Sequence, residues 1–352
     1  MPQSTSTLTL FQNQTFRMLW IAALASNFGG LVQAVGAAWM MTSLTESHSM
    51  VALVQSSVTL PIMVFSLLAG VFADNFDRRK VMLIAQTFML MVSIMLAVMA
   101  YQGLLTPWLL LGFTFLIGCG TALHNPSWQA SMGDIVSRDE LSAAVSLNSM
   151  GFNLMRSIGP AAGGAIVAVA GAAAAFTVNA LSYVGIIAGL WFWRPSTPQR
   201  RLPRERMGSA FSAGLRYVAM SPNLIKVIFR GFLFGLSAVA ILALLPLIVR
   251  ELLQGGAFVY GVLLGCFGAG AVGGALLNAK LRARFQNERI TQVAFITFAV
   301  ASIILGYSRN YVFSGTALLL AGGSWVIALS LFNVTIQLST PRWVVGRAIA
   351  LY

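Results

Sequence analysis

Gly70-Val-Phe-Ala-Asp74-Asn-Phe-Asp77-Arg78-Arg79-Lys80 lies between the second and third long apolar runs of the chain, and a variant of it, Gly274-Ala-Leu-Leu-Asn278-Ala-Lys280-Leu-Arg282-Ala-Arg284, returns 204 positions later. The same offset carries Gly118 to Gly322, Arg138 to Arg342 and Leu147 to Leu351. One offset holding across separate regions marks an internal duplication in parallel orientation.

The residues around these two strings are those of a membrane protein. Of 352 residues 58% are hydrophobic and only 9% charged, and the mean hydropathy is +0.81, whereas a soluble domain carries about a quarter charged residues. A hydrocarbon core about 30 Å thick needs roughly 20 apolar residues per helix. Ten stretches meet that length, near 16–42, 50–73, 81–101, 107–132, 142–170, 172–193, 223–249, 257–279, 290–308 and 311–338. The expected class is an all-α polytopic membrane protein; the runs are too long and too continuous for barrel strands, which alternate over about ten residues.

Charge sets the orientation. All of the 22 Lys and Arg except Arg156, Arg230, Arg250 and Arg309 fall on one side of these spans, so the positive-inside rule places both visible ends of the chain in the cytoplasm. The net charge of +13 is then a topology signal, and nucleic acid is not an expected partner because the basic residues are dispersed among membrane loops. The N-terminal MPQSTSTLTLFQNQTF lacks the layout of a secretory signal, so the first helix reads as an uncleaved anchor. Cys119 and Cys266, in opposite halves, form neither a disulfide framework nor a metal site, and no cofactor is expected. Residues 194–222, rich in Pro and Arg, read as a cytoplasmic linker ending in a short amphipathic surface helix, which divides the chain into 1–193 with six helices and 223–352 with four.

The opening string resembles the loop signature of the major facilitator superfamily, Gly-x-x-x-Asp-x-x-(Gly)-Arg-(Lys/Arg), with Asp77 standing where the family often has Gly and Asn278 lacking the charge of Asp74. The resemblance implies a major facilitator fold with two pseudo-symmetric helical halves, about ten of its twelve transmembrane helices being present. Partners of helices 5 and 6 would occupy about 346–397, beyond Tyr352. The expectation is therefore a fragment lacking helices 11 and 12, with a natural ten-helix form as the alternative. In the family this loop holds the cytoplasmic side closed, the Asp near the start of helix 11 and the Arg near an acid at the end of helix 4. Gating thus falls to Gly70, Asp74, Arg78, Arg79, Asp134, Asn278 and Arg282. Physically, Asp74 can accept from a helix N-terminus while Arg78 and Arg79 pair with acids.

Helix 5 contains Arg156-Ser-Ile-Gly159-Pro160-Ala-Ala-Gly163-Gly164. Gly159, Pro160, Gly163 and Gly164 resemble the helix 5 signature of proton-coupled exporters of the superfamily, and small residues there also serve close helix packing. With Asn125-Pro126-Ser-Trp128-Gln129-Ala130 before it and Phe176-Thr-Val-Asn179 after it, residues 118–194 are similar to the branch holding the enterobactin exporter and macrolide exporters. That resemblance implies a secondary exporter of a small siderophore-like or drug-like molecule, with protons as coupling ion, working as a monomer in the inner membrane.

All nine acids lie at span ends or in loops, so no midplane carboxylate marks the coupling site. Arg156, roughly 21 Å along helix 5 at 1.5 Å per residue, is the leading cavity residue and favours a neutral or anionic substrate. His124 can titrate near neutral pH or serve as a helix contact. Asn27, Gln33, Asn125 and Asn153 line the cavity or hydrogen-bond between helices. A non-catalytic structural or signalling membrane subunit, or an importer of the same fold, are the alternatives. An enzyme is not expected, since no paired carboxylates, Ser-His pair or phosphate-binding loop occurs in the spans.

Overall fold

The computed structural model describes residues 10–137, 139–194 and 219–339, the side chains at 66–68, 70–75, 142, 223, 279 and 337–339 excepted. Most of the linker expected at 194–222 with its surface helix, Arg138, and the positions where helices 11 and 12 would begin lie outside these residues. Among the described residues nine helices are long and apolar enough to cross a membrane, and none of these residues forms a strand.

One of the nine, Leu141–Phe192, has 52 residues, about 78 Å at 1.5 Å per residue and more than twice the hydrocarbon thickness. It is broken at Gly171, whose φ of 80° and ψ of 170° belong to a region open essentially to glycine alone. The break yields two spans where 142–170 and 172–193 were expected. The helices are therefore α1 Gln14–Leu44, α2 His48–Asn75, α3 Arg78–Tyr101, α4 Pro107–Ile135, α5 141–170, α6 172–192, α7 Pro222–Leu247, α8 Ala257–Arg284, α9 Asn287–Tyr307 and α10 Tyr311–Ser339.

Local chemistry sets several of these ends. Asn13 Oδ1 accepts from Phe16 N, Asp77 Oδ1 from Lys80 N and Thr106 Oγ1 from Leu109 N, each capping the first turn of α1, α3 or α4. Asp77 thus has a local reason to replace glycine. Pro246, which has no N–H to donate, precedes a π turn at Ile248–Leu252 that ends α7.

The described residues form two compact units. The first holds α1 to α6 with Ala243–Gly265; the second holds the rest of α7 and α8 with α9 and α10. In the first, α1 packs along α5 and α6. Towards one membrane face Met41, Val54, Met89, Leu96, Leu110, Phe113 and Phe176 pack together. Towards the opposite face Phe16, Leu19, Met82, Trp128, Met132, Ile186 and Leu190 do so. In the second, Phe234 of α7 stacks on Phe295 of α9 at 4.6 Å, and Phe295 meets Phe332 of α10 edge-on at 6.1 Å.

The duplication reappears in packing. A methyl on Gly118 of α4 would lie 2.8 Å from Val58 O of α2, and one on Gly322 of α10 would strike Phe267 O of α8. Repeat-related glycines thus serve the same pair of helices in each half. Gly322→Ala is expected to push α8 and α10 apart and lower stability by about 1–3 kcal/mol, read as a lower midpoint of thermal unfolding in detergent. Gly306→Ala, with open space around its Cα, is the control that should leave the midpoint unchanged; equal midpoints for both variants would contradict the packing.

Candidate functional site

The loop of the opening string closes α3 onto two other helices. Arg78 Nη1 donates to Asp134 Oδ2 and to Ala130 O, both at 2.9 Å, tying the start of α3 to the last turns of α4. The side chains are 32% and 17% exposed, so the pair is only partly screened by water. Arg79 takes a different partner from the acid expected for it: Nε donates to Leu190 O at 2.7 Å and an Nη to Trp191 O at 2.6 Å. These are carbonyls of the last turn of α6, which lack intrahelical donors and carry the negative end of the helix dipole. Gly70 and Asp74 belong to the last turns of α2, and the Asp74 carboxylate lies outside the described side chains.

The second copy is built differently. Asn278 Nδ2 of α8 donates to Ser330 Oγ of α10 at 2.5 Å, a neutral contact, and its Oδ1 is buried without a partner among the described residues. Arg282 is half-buried in the last turn of α8. The 204-residue offset places Leu338 where the first copy has Asp134, so the repeat does not supply Arg282 with a carboxylate.

The helix 5 string is a crossing point. A methyl on Gly163 would lie 3.0 Å from Val32 Cα of α1, and one on Gly164 would lie 2.6 Å from Ala257 O and 2.7 Å from Gly261 Cα of α8. From the other side, a methyl on Gly261 would lie 2.5 Å from Pro160 O. Gly159 faces Leu31 and Gly151 faces Leu24. This register between parallel α1 and α5 brings Asn27 level with Arg156. Both are half-buried.

The other polar candidates separate. Asn153 Nδ2 donates to Ser149 O of its own helix at 2.9 Å, and Asn125 is exposed. Gln33 is buried in a knot of three helices, its Oε1 accepting from Ser93 Oγ of α3 at 3.3 Å and from Asn179 Nδ2 of α6. Asn179 Nδ2 also reaches Tyr183 OH at 3.2 Å. His124 Nδ1 is 3.2 Å from Gln86 Nε2, and its ring stacks on Trp128, whose Nε1 donates to Asn148 Oδ1 at 3.2 Å. Arg230 pairs at 2.9 Å with exposed Glu288. His48 at the start of α2 meets Glu251 in the π turn at 2.8 Å.

Gln86 and Ser93 were not singled out in the sequence, and Asn179 entered only within a stretch that carries the family resemblance. The available signal was spacing: Gln86 and Ser93 are seven apart within an otherwise apolar Met-rich run, hence on one face of α3. If the Arg78 contact holds α3 to α4, Arg78→Gln and Asp134→Asn each cost about 1 kcal/mol or less and the double variant costs little more than one. A double-mutant cycle by thermal unfolding with no coupling between the two sites would refute the contact.

A family model described as transmembrane secretion effector matches residues 5–352. The enterobactin exporter EntS of Escherichia coli O1:K1 is 26% identical over 349 residues, covering 96% of this chain and 80% of that protein. Macrolide efflux protein A of Streptococcus pyogenes is 22% identical over 320 residues, covering 83% and 77%. The staphyloferrin A transporter of Staphylococcus aureus is 28% identical over 156 residues, covering 44% of this chain, which spans only 39% of that relative. Among solved structures, the nucleoside transporter NupG superposes with a TM-score of 0.77 at 11% identity, covering 96% of this chain and 86% of that one. A bacterial homolog of the human lysosomal transporter Spinster, inward-facing and unoccupied, gives 0.74 at 12% identity, covering 97% and 78%. The chain belongs to the transmembrane secretion effector family of the major facilitator superfamily, whose members are multi-pass membrane transporters and not enzymes.

Proposed function

We propose that this protein is a secondary exporter that moves a small organic molecule, siderophore-like or drug-like, outward across the cytoplasmic membrane in exchange for protons. The observation that carries the reading is the match, over 96% and 83% of the chain, to proteins that export enterobactin and macrolides. Alternating access accounts for the parts. Arg78, Asp134 and Arg79 bind the cytoplasmic ends of α3, α4 and α6 together. Gly163 and Gly164 let α5 approach α1 and the start of α8 closely enough for a small tilt to change the contact. Both visible ends of the chain are cytoplasmic in this reading, and the two halves are joined by the 194–222 linker.

Arg156 supplies the recognition chemistry. A guanidinium at mid-depth is costly in a bilayer unless it faces protein or water, and its fixed charge and planar donors suit oxygen-rich neutral or anionic groups. Asn27, at the same level on α1, adds an amide to the same depth.

Metabolite profiles of medium from deletion cells and from cells carrying the full-length protein are expected to differ by an exported compound whose appearance stops when a protonophore collapses the gradient. Efflux that ignores the protonophore would remove proton exchange from the reading. Arg156→Ala is expected to reduce efflux about tenfold or more, the scale of a lost charge-assisted hydrogen bond, with membrane insertion intact by protease protection; undiminished efflux would remove Arg156 from the substrate path.

A further inference from the structure

The contact between α3 and α4 has one antiparallel register along its length: Arg78 meets Asp134, Gln86 meets His124, and Met89 Sδ accepts from Thr121 Oγ1 at 3.6 Å. The middle pair is chemically incomplete. Gln86 is 1% exposed, its Nε2 lies 3.2 Å from His124 Nδ1, and its Oε1 is buried with no partner among the described residues. A buried amide oxygen without a donor costs about 1–3 kcal/mol, which asks what donor it serves in another state. A half-turn of the carboxamide exchanges Oε1 for Nε2 in front of Nδ1. A neutral imidazole with its hydrogen on Nε2 accepts from Gln86 Nε2; an imidazole protonated also at Nδ1 must donate there, and Oε1 is the acceptor at hand. The pair therefore has two complementary arrangements, distinguished by one proton.

The ionisable groups at the nearer ends of the helices around the ring are Arg17 on α1, Asp74 on α2, Asp77, Arg78, Arg79 and Lys80 at the start of α3, Asp134 on α4, and Asp139 and Glu140 just before α5; α5 also carries Arg156. Arg78 and Asp134 bind each other, and Arg79 binds α6 carbonyls. Asp134 is ten positions from His124, about 15 Å along α4, and Gln86 is eight positions from the start of α3, about 12 Å from its cytoplasmic end. Among the described side chains no carboxylate lies in the middle of a span, and this pair is a place where a proton can alter a helix contact.

We propose that His124 and Gln86 form the proton-carrying pair of the transport cycle: the imidazole takes a proton at Nδ1, the Gln86 carboxamide turns over to accept it, and the α3–α4 seam that also holds Arg78 and Asp134 responds. The proton comes from external water and is released to the cytoplasm, and only N–H bonds and their acceptors change. The inference rests on the proton-exchange reading given above.

The test uses the chain's having only two histidines, His48 and His124. The full chain with His48→Gln, labelled with 15N-histidine and held in lipid nanodiscs without substrate, is titrated by solid-state NMR. The His124 ring is expected to be neutral with its hydrogen on Nε2 at the basic end and to become doubly protonated, reversibly, between about pH 8 and 4. Gln86→Leu is expected to erase the preference for that tautomer and displace the midpoint by about one pH unit or more. Should Gln86→Leu fail to insert, Gln86→Glu, which keeps the shape and fixes an acceptor, is read for the same displacement. A ring that stays neutral to pH 4, or the same tautomer and midpoint with residue 86 changed, overturns the pair. The two readings are separated in cells. Efflux by the unaltered protein that is insensitive to a protonophore overturns proton exchange itself; efflux that is sensitive, and stays equally sensitive in His124→Gln, overturns only the His124 and Gln86 assignment.

Discussion

Inside a bilayer no water is available to satisfy a peptide group, so every backbone N–H and C=O in the spans must find its partner within a helix. The rest of this structure follows from that demand. Side chains facing lipid are apolar, and Met, Leu, Ile and Phe residues on the outer faces of α3, α7 and α9 are exposed for this reason. Polar side chains either bond their own helix, as Asn153 does, or gather in seams between helices. Gln33 with Ser93 and Asn179, Gln86 with His124, and Asn278 with Ser330 are three such seams. Glycines such as Gly163 and Gly322 mark the places where backbones approach most closely, packing that supplies attraction between helices in lipid.

Much of the architecture was readable because length and apolarity alone define a span. The break at Gly171 was legible too, as a glycine among small residues at the point where one span had reached its full length. The Arg78 and Asp134 contact came through family resemblance and holds in the structure. Other contacts depend on which helices are neighbours, and sequence does not disclose that. Arg79 was expected beside an acid, yet α6 ends within its reach and offers carbonyls. Gln33 was expected at a cavity or between helices, and α3 and α6 close over it. Gln86 drew no notice because a single amide in a Met-rich run has no meaning until α4 is placed beside it.

The two copies of the loop differ in kind as well as in sequence. The first is ionic, partly hydrated and tied to three helices; the second is a neutral amide-to-hydroxyl contact with no repeat-related acid for Arg282. Ion pairs near water respond to salt and to nearby charge, while a buried neutral contact does not. The duplication has therefore left one half with a contact that solution conditions can weaken and the other with one indifferent to them.

Gly171 gives α5 and α6 a connection with no slack. The chain turns from one span into the next within a single residue, with no intervening loop. At its far end α6 is gripped by Arg79 through the carbonyls of Leu190 and Trp191. The end of α5 and the first turn of α3 are thereby joined through one unbroken helix, α6, fastened at one end by the glycine and at the other by the arginine.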